Sequence, residues 1–252
     1  TDDLGQPVST TTTTDSNGVY SFVGLRPGNY TITETQPPAY SEGKDTIGTP
    51  GGNASVQNVF SGVVVTSGTT GTNNDFGERG ATLSGHVFID ANINGTLDGA
   101  EAGLAGVTVT LKDGDGNMVA VTTSAIDGTY SFTDLPAGPY TIEETQPLAY
   151  GRSTPTTIPA NLPLAGLTDQ DFGLTTASLA GAVYVDANND GSHQLSETGI
   201  AGVTVVLQGT DVLGHPVNLT TTTVADGTYV FQGLLAGSYS VIESQPAAYS
   251  QG

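Results

Sequence analysis

The stretch Val107-Thr-Val-Thr-Leu111 alternates apolar and polar side chains, and Val203-Thr-Val-Val-Leu207 keeps its apolar residues at the same spacing. A period of two is typical of a β-strand, because successive side chains point to opposite faces of the sheet. Tyr30-Thr-Ile-Thr33 alternates in the same way. These runs are short and are bounded by Gly, Pro, Asp or Asn, and no stretch has the apolar stripe of a helix. The sequence therefore predicts an all-β protein built from antiparallel strands.

The chain also repeats itself over longer distances. Three segments align without gaps, namely Leu25–Tyr40, Leu135–Tyr150 and Leu234–Tyr249. Each segment is preceded by a Gly-x-Tyr-x-Phe pattern, so that nine of the ten tyrosines fall at equivalent positions. We interpret these tyrosines as core or sheet-packing residues, because an aromatic surface for carbohydrate would predict Trp and variation between repeats.

A second pattern occurs only twice, as Leu83–Asp90 and as Leu179–Asp186. We therefore predict a partial module over residues 1–79, which lacks its first strands and carries an extended tail. A complete module follows over 80–176, and a third module over 177–252. Each module has a typical size for one antiparallel β-sandwich, and the six-residue joints between them leave little slack.

The tail of the first module, residues 41–74, is rich in Gly, Thr, Ser and Asn. It contains one strand candidate, residues 56–65, and we interpret the segment as an extra hairpin. Disorder is the alternative interpretation.

Composition excludes several classes of protein. The chain has 252 residues, with five Lys and Arg against 25 Asp and Glu, so the formal net charge is −20 and no basic surface is available for nucleic acid. There is no Cys, which excludes disulfides, thiolate zinc sites and cysteine catalysis. No apolar stretch reaches the roughly 18 residues that span a bilayer, so we expect no membrane insertion in this segment.

Two loops match a calcium-binding pattern, D-x-[DN]-x-[DN]-G-x5-E, at every required position. Such a loop of twelve residues wraps carboxylate, amide and carbonyl oxygens around one ion, and its Gly permits the sharp turn. We predict at least two Ca²⁺ sites, one in each of the two later modules. The ligands predicted for the first site are Asp90, Asn92, Asn94, Thr96, Asp98 and Glu101. Those predicted for the second site are Asp186, Asn188, Asp190, Ser192, Gln194 and Glu197.

The residues that flank these loops read as strands rather than as the two helices of a calcium sensor. No groove can open between helices, so we expect the ion to be structural and not a signalling switch. Few carboxylates stand in each loop, which favours an affinity between micromolar and millimolar, suited to extracellular calcium.

The order of these motifs resembles that of a known family. Gly-x-Val-x-x-Asp-x-Asn-x-[Asn/Asp]-Gly, then Gly-Val-Thr-Val-x-Leu, Asp-Gly-x-Tyr-x-Phe and Gly-x-Tyr-x-x-x-Glu, resembles the B-type repeat of serine-aspartate-repeat bacterial surface adhesins. The pattern is also similar to the wider collagen-adhesin B-like domains. The resemblance covers nearly all of 81–252 and the later half of the first module. It implies tandem Ig-like (Cna B-type) β-sandwiches, stabilised by calcium and placed outside the cell, at the bacterial surface.

Some collagen-adhesin B-like domains carry a Lys–Asn isopeptide bond that is assisted by a buried acid. Three residues match the position of that acid: Glu34, Glu144 and Glu243. The third module has no lysine, and we expect Lys112 of the second module to lie in a turn, so this crosslink is not expected. The acids then serve either in hydrogen bonds to backbone amides at a strand end or in metal binding.

We therefore expect a structural segment of a secreted or cell-surface bacterial protein, acting as a rigid stalk or as the building unit of an extracellular fibre. Its expected partners are calcium and copies of itself joined end to end, with no nucleic acid. The alternative is an adhesin module that binds a host, matrix or glycan ligand. We do not expect an enzyme, because carboxylates repeated in every module are typical of a scaffold rather than of one active site.

Overall fold

The computed structural model describes residues 1–247 and 249, and in that part of the chain it contains strands but no helix. The first five strands are β1 (Gly28–Thr33), β2 (Ser41–Glu42), β3 (Asn53–Val56), β4 (Val59–Val65) and β5 (Glu78–Arg79). The next eight are β6 (Ala81–Ile89), β7 (Thr108–Asp113), β8 (Met118–Thr123), β9 (Thr129–Leu135), β10 (Gly138–Glu144), β11 (Gly151–Arg152), β12 (Thr157–Leu162) and β13 (Phe172–Thr175). The last five are β14 (Ala177–Ala182), β15 (Thr204–Asp211), β16 (Pro216–Thr222), β17 (Thr228–Leu234) and β18 (Gly237–Glu243).

The chain divides into two compact units. The first comprises Thr1–Thr82, Thr133–Gly138 and Asn161–Leu167, and the second comprises Leu83–Phe132, Pro139–Ala160 and the described residues from Thr168 onward. The predicted all-β class with antiparallel sheets is confirmed. Within the described residues no helix is long and apolar enough to cross a membrane.

In the first unit, β4 is the central strand of a three-stranded sheet in the order β1-β4-β3. The predicted extra hairpin is present as β3 and β4, but the strand expected over 56–65 is interrupted. Val56 ends β3 and Val59 begins β4, and between them Asn58 takes a φ of 60° that reverses the chain. A short antiparallel pair, β2 with β5, lies in the same unit.

Two four-stranded sheets, most of whose residues belong to the second unit, have the orders β12-β10-β7-β8 and β11-β13-β6-β9. Strand β13 runs parallel to β6, with Phe172 opposite Val87, whereas the other strand pairs of known register are antiparallel. Val109 and Leu111 are fully buried, as the alternation in residues 107–111 predicts. Other fully buried apolar residues of these strands are Leu83, Val87, Phe88, Ile142, Phe172 and Leu174. The later part of this unit forms two smaller sheets, β14-β17 and β16-β15-β18.

The interpretation of the repeated tyrosines as packing residues is best supported by the tyrosines on β9 and β10. Tyr130 and Tyr140 are 4% and 8% exposed. The Tyr130 hydroxyl donates to the backbone oxygen of Gln170, and the Tyr20 hydroxyl donates to that of Asn74 at 2.5 Å. Tyr249, in contrast, is 46% exposed.

One expectation about Lys112 is wrong. This residue does not lie in a turn: it lies on β7, and its Nζ is 2.7 Å from the carboxylate of Glu143 on β10. The hairpin turn begins one residue later, where the carboxylate of Asp113 accepts the backbone N–H groups of Asp115 and Asn117.

Candidate functional site

The first calcium-type loop begins where β6 ends, and its first carboxylate is sheltered. Asp90 is 1% exposed, and its two carboxylate oxygens accept the backbone N–H groups of Asn94 at 3.1 Å and of Gly95 at 2.7 Å. Burial on its own would raise the pKa of Asp90, but the hydrogen bonds to its carboxylate outweigh burial and hold that pKa below its ordinary value. Asp90 is therefore a buried anion that fixes the course of the backbone at the start of the loop.

The amide side chains of this loop are oriented by its backbone and by Asp98. The Oδ1 atoms of Asn92 and Asn94 accept backbone N–H groups two residues further on, at 3.1 Å and 2.8 Å. Their Nδ2 atoms both donate to the same oxygen of Asp98, at 2.7 Å and 3.0 Å. The predicted ligands at the third, fifth and ninth positions are thus brought together around one carboxylate oxygen.

Glu101, the last residue of the pattern, joins the two ends of the loop. Its carboxylate accepts the N–H of Ala91 at 2.8 Å with one oxygen and the N–H of Asp98 at 3.0 Å with the other. The carbonyl oxygen of Thr96 is the ligand predicted at the seventh position. The structure shows the N–H of the same residue donating to Oδ1 of Asn94.

The second loop repeats this geometry. Asp186 accepts the N–H groups of Asp190 and Gly191, at 3.2 Å and 2.9 Å. Glu197 accepts those of Ala187 and Gln194, both at 3.0 Å. Two independent stretches of sequence therefore adopt one loop conformation, as the shared pattern predicts.

In the second loop the shared carboxylate is Asp190, at the fifth position. It accepts the side-chain amides of Gln194, at 3.0 Å and 2.8 Å, and of Asn188 at 2.9 Å, together with the backbone N–H of Ser192 at 2.8 Å. The Gln194 amide and then the Ser192 N–H lower the pKa of Asp190. The ninth-position side chain thus donates in this loop and accepts in the first one.

The glycines of both loops are required by the backbone. Gly95 and Gly191 each have a φ of 75°, in the left-handed region that glycine tolerates best. The fourth position is also left-handed, with a φ of 60° at Ile93 and of 57° at Asn189. The sequence pattern accepts any residue at the fourth position. Asn189 is the only sequence sign of a left-handed backbone there, because Asn adopts that conformation more readily than Ile does.

The chemistry of these loops fits a hard cation with oxygen ligands. Amide and carboxylate oxygens are the donors such ions prefer, and a half-turn of an Asn amide exchanges its Nδ2 for its Oδ1. Among the described residues, no three His, Asp or Glu side chains form a group of their own that could hold a metal. A cation in either loop would thus depend on amide and backbone oxygens as well as on Asp and Glu.

The three acids at the strand ends have different surroundings. Glu144 is 7% exposed, its Oε1 has no hydrogen-bond partner, and burial raises its pKa although the charge of Arg152 opposes the rise. Glu34 also has a buried oxygen without a partner, whereas Glu243 is exposed. The expected hydrogen bonds to backbone amides are therefore absent for the unpartnered oxygens of Glu34 and Glu144.

Comparison with known proteins adds the family. The family model described as "SdrD B-like domain" matches residues 1–78, 81–161 and 177–252. The "Serine-aspartate repeat-containing protein F" of Staphylococcus epidermidis is 34% identical over 96% of the chain, which covers 16% of that protein. The "Bone sialoprotein-binding protein" of Staphylococcus aureus is 35% identical over 94% of the chain, which covers 22% of that protein. The chain thus spans less than a quarter of the length of these relatives.

Two solved structures are similar at lower levels. The "Bacillus anthracis TIE protein" is 18% identical with a TM-score of 0.44, over 92% of this chain and 39% of that one. The "Streptococcal ancillary pilin" is 16% identical with a TM-score of 0.36, over 90% of this chain and 69% of that one. The extracellular, cell-surface location implied by the resemblance is confirmed by the family match and the staphylococcal relatives. With three matched stretches that together cover most of its length, the chain belongs to the SdrD B-like domain family.

Proposed function

We propose that the chain is a calcium-stabilised structural segment of a bacterial surface protein, acting as a rigid stalk or as the building unit of an extracellular fibre. Membership of a family of surface repeats supports the structural part of this role. One observation carries the calcium part: residues 90–101 and 186–197 form the same loop, with the same donors on the first Asp and the last Glu.

The side chains that would hold the ion make specific hydrogen bonds in each loop. Asp90 and Asp186 fix the first turn through two backbone N–H groups each, and Glu101 and Glu197 hold the loop ends together. The remaining side-chain ligands gather on one further carboxylate, Asp98 in the first loop and Asp190 in the second. Bound calcium would supply the positive charge that offsets the acids of each loop.

Ligand binding to the folded state alone stabilises that state. At a free calcium concentration a hundredfold above Kd, the gain is about 2.7 kcal/mol for one site. A loop held in this way also loses conformational freedom, which suits a segment with a mechanical role.

The test is a thermal unfolding experiment on the whole chain, by circular dichroism, in millimolar Ca²⁺ and in excess chelator. We expect the melting temperature to rise by several degrees with calcium and to fall reversibly with chelator. Equal melting temperatures in the two solutions would refute a structural calcium ion.

The end-to-end arrangement of copies is a separate part of the proposal. Sedimentation velocity over a range of chain concentrations, with and without Ca²⁺, tests it directly. Species that grow in steps of one chain would support the fibre unit. A monomer at all concentrations would contradict the fibre unit, and only the role of a stalk would remain.

The alternative function is ligand binding by the face of a module, and one surface favours it. Hairpin β3–β4 exposes Val56 by 59% and Val64 by 54%, and one relative is named as a sialoprotein-binding protein. Loss of binding to an extracellular-matrix panel in a Val56→Ser/Val64→Ser variant with unchanged stability would support this alternative.

A further inference from the structure

The loop between β17 and β18 is bonded through its backbone to the preceding repeat. This loop consists of Leu235 and Ala236, and the N–H of Ala236 donates to the carbonyl oxygen of Ala149 at 3.1 Å. The same bond occurs one repeat earlier, in the loop between β9 and β10, where the N–H of Ala137 donates to the carbonyl oxygen of Ala39 at 2.7 Å. In the aligned segments the two donors share one position and the two acceptors share another. The bond is therefore a property of the repeat and not of one irregular loop.

The acceptor lies in a turn with the sequence Gln-Pro-x-Ala-Tyr, which a side-chain hydrogen bond holds in shape. The Nε2 of Gln146 donates to the carbonyl oxygen of Tyr150 at 3.3 Å, and Gln36 holds Tyr40 in the same way at 3.2 Å. Ala149 has a φ of 82°, a left-handed backbone that is unfavourable for a residue with a Cβ. Such a conformation persists where the surrounding structure fixes it, and it is typical of sites with a function. The turn is thus shaped before its carbonyl oxygen accepts a bond from the next repeat.

The donor is fixed from its own side as well. The carbonyl oxygen of Ala236 accepts the N–H of Val212, in the turn after β15, at 2.8 Å. The Tyr239 hydroxyl donates to the carbonyl oxygen of Leu235 at 2.9 Å. Ala236 therefore connects, through its two backbone groups, a turn of its own repeat with the end of the preceding repeat.

The bond adds a second attachment at a joint that the chain itself connects once. A single residue, Thr176, separates β13 from β14, and Gly80 alone separates β5 from β6. Ala177, the first residue of β14, lies opposite Leu234, so the covalent connection and the loop with Ala236 are neighbours. A body attached at one point pivots freely, whereas attachment at two points leaves rotation about the line between them. The bond therefore restricts bending at the joint, although water competes for it and its contribution to the free energy of unfolding is small.

The first repeat lacks the donor. At the position of Ala137 and Ala236 it has Pro27, which carries no N–H. The carbonyl oxygen of Pro27 nevertheless accepts the N–H of Asp3 at 2.7 Å, as that of Ala236 accepts an N–H in the third repeat. Proline is thus compatible with this part of the fold, and it removes the donor alone.

We propose that the Gln-Pro-x-Ala-Tyr turn of one repeat is the docking site for the Leu-x-Ala-Gly loop of the next repeat, and that the backbone bond between them sets the stiffness of the joint. This inference rests on the proposed role as a stalk, since a stalk is rigid only if its joints resist bending. The turn recognises a following repeat by the N–H of its loop, so a repeat with Leu-x-Pro-Gly, like the first one, cannot form the bond. The third repeat has the same turn sequence, in which Gln245 donates to the carbonyl oxygen of Tyr249 at 3.1 Å, and a further Leu-x-Ala-Gly repeat fits there.

The test measures the freedom of the joint as the distribution of distances between two spin labels on the whole chain. The chain has no Cys, so labels attach only at the introduced Met118→Cys and Asn218→Cys, which are exposed positions of the second and third repeats. Ala236→Pro removes the N–H, and Ala236→Ser keeps it as the matched control. Circular dichroism and urea unfolding show that each labelled variant is folded.

We expect the distance distribution to be broader in Ala236→Pro than in the wild-type chain and unchanged in Ala236→Ser, both in Ca²⁺ and in chelator. The comparison therefore does not depend on the calcium part of the proposed function. Ala137→Pro, with labels at Ser55→Cys and Met118→Cys, tests the earlier joint and decides the outcome if Ala236→Pro does not fold. Equal widths in the wild-type chain and in a folded Pro variant would overturn the inference. Equal and narrow distributions would leave the rigid stalk intact, whereas equal and broad ones would contradict the stalk as well.

Discussion

Glu101 reaches back across its loop to Ala91, whose backbone N–H it accepts at 2.8 Å although ten residues separate the two. Glu197 holds Ala187 in the same way at 3.0 Å. The other carboxylate oxygen of each Glu accepts the N–H of the ninth loop residue. The last acid of the pattern therefore shapes the loop through backbone bonds, in addition to the ligand role proposed for it.

These two roles separate in a Glu101→Gln/Glu197→Gln variant. Gln keeps one oxygen acceptor for the backbone but loses the negative charge and the second acceptor. We expect the variant to fold and to lose the calcium-dependent part of its stability, about 2.7 kcal/mol per site at a hundredfold excess over Kd. Scanning calorimetry with Ca²⁺ and with chelator measures the difference. A control chain, Asp115→Asn/Asp169→Asn, loses two exposed charges outside the loops and should keep the full calcium response. A normal calcium response in the Gln variant would disprove the ligand role.

Leu83 and Leu179 occupy equivalent repeat positions but differ in burial. Leu83 is fully buried, whereas Leu179 is 38% exposed. Truncation of a buried Leu to Ala costs about 2–5 kcal/mol, because packing contacts are lost and a cavity remains. We expect Leu83→Ala to lower the free energy of unfolding by this amount and Leu179→Ala by about 1 kcal/mol. Urea unfolding of the two variants beside the wild-type chain checks the order, and equal losses would contradict the difference in burial.

Much of the fold follows from local patterns in the sequence. The alternation in residues 107–111 predicts both strand β7 and the burial of Val109 and Leu111. The loop pattern predicts a sharp turn at its sixth position, and Gly95 and Gly191 both have a left-handed φ there.

Features that depend on distant contacts could not be predicted in this way. Nothing local indicates that β13 runs parallel to β6, since that pairing joins residues far apart in sequence. The break between β3 and β4 is the two-residue turn Gln57-Asn58, and Asn58, with its left-handed φ, is the only turn-type residue that marks it in the sequence. The unpaired buried oxygen of Glu144 depends on which strands meet, and no short motif encodes this.

The hydroxyl of Tyr130 offers a third prediction. It is buried with its ring and donates to the backbone oxygen of Gln170, so that burial raises its pKa. Tyr130→Phe removes the donor and leaves the partly buried backbone oxygen of Gln170 without this partner, which costs about 1 kcal/mol. Tyr20→Phe should act in the same direction, because the Tyr20 hydroxyl donates to Asn74. The free energy of unfolding in urea measures both, and a neutral Tyr130→Phe would show that this hydrogen bond contributes nothing.

The last prediction concerns pH and Glu144. Burial raises the pKa of this carboxyl above its ordinary value of 4.5, so the folded chain binds its proton more tightly than the unfolded chain does. Stability therefore decreases as the pH rises from 4.5 through the raised pKa, and the loss is complete above it. Gln cannot ionise, so Glu144→Gln should become more stabilising, relative to the wild-type chain, as the pH rises through this window.

Urea unfolding of both chains at a series of pH values from 4 to 8 measures that difference, and the other titrating groups cancel in it. Glu243→Gln is the matched control, because Glu243 has the equivalent place in the next repeat but is exposed. A Glu144→Gln difference that stays constant from pH 4 to pH 8 would mean that Glu144 titrates alike in the folded and unfolded chains, against the burial seen here.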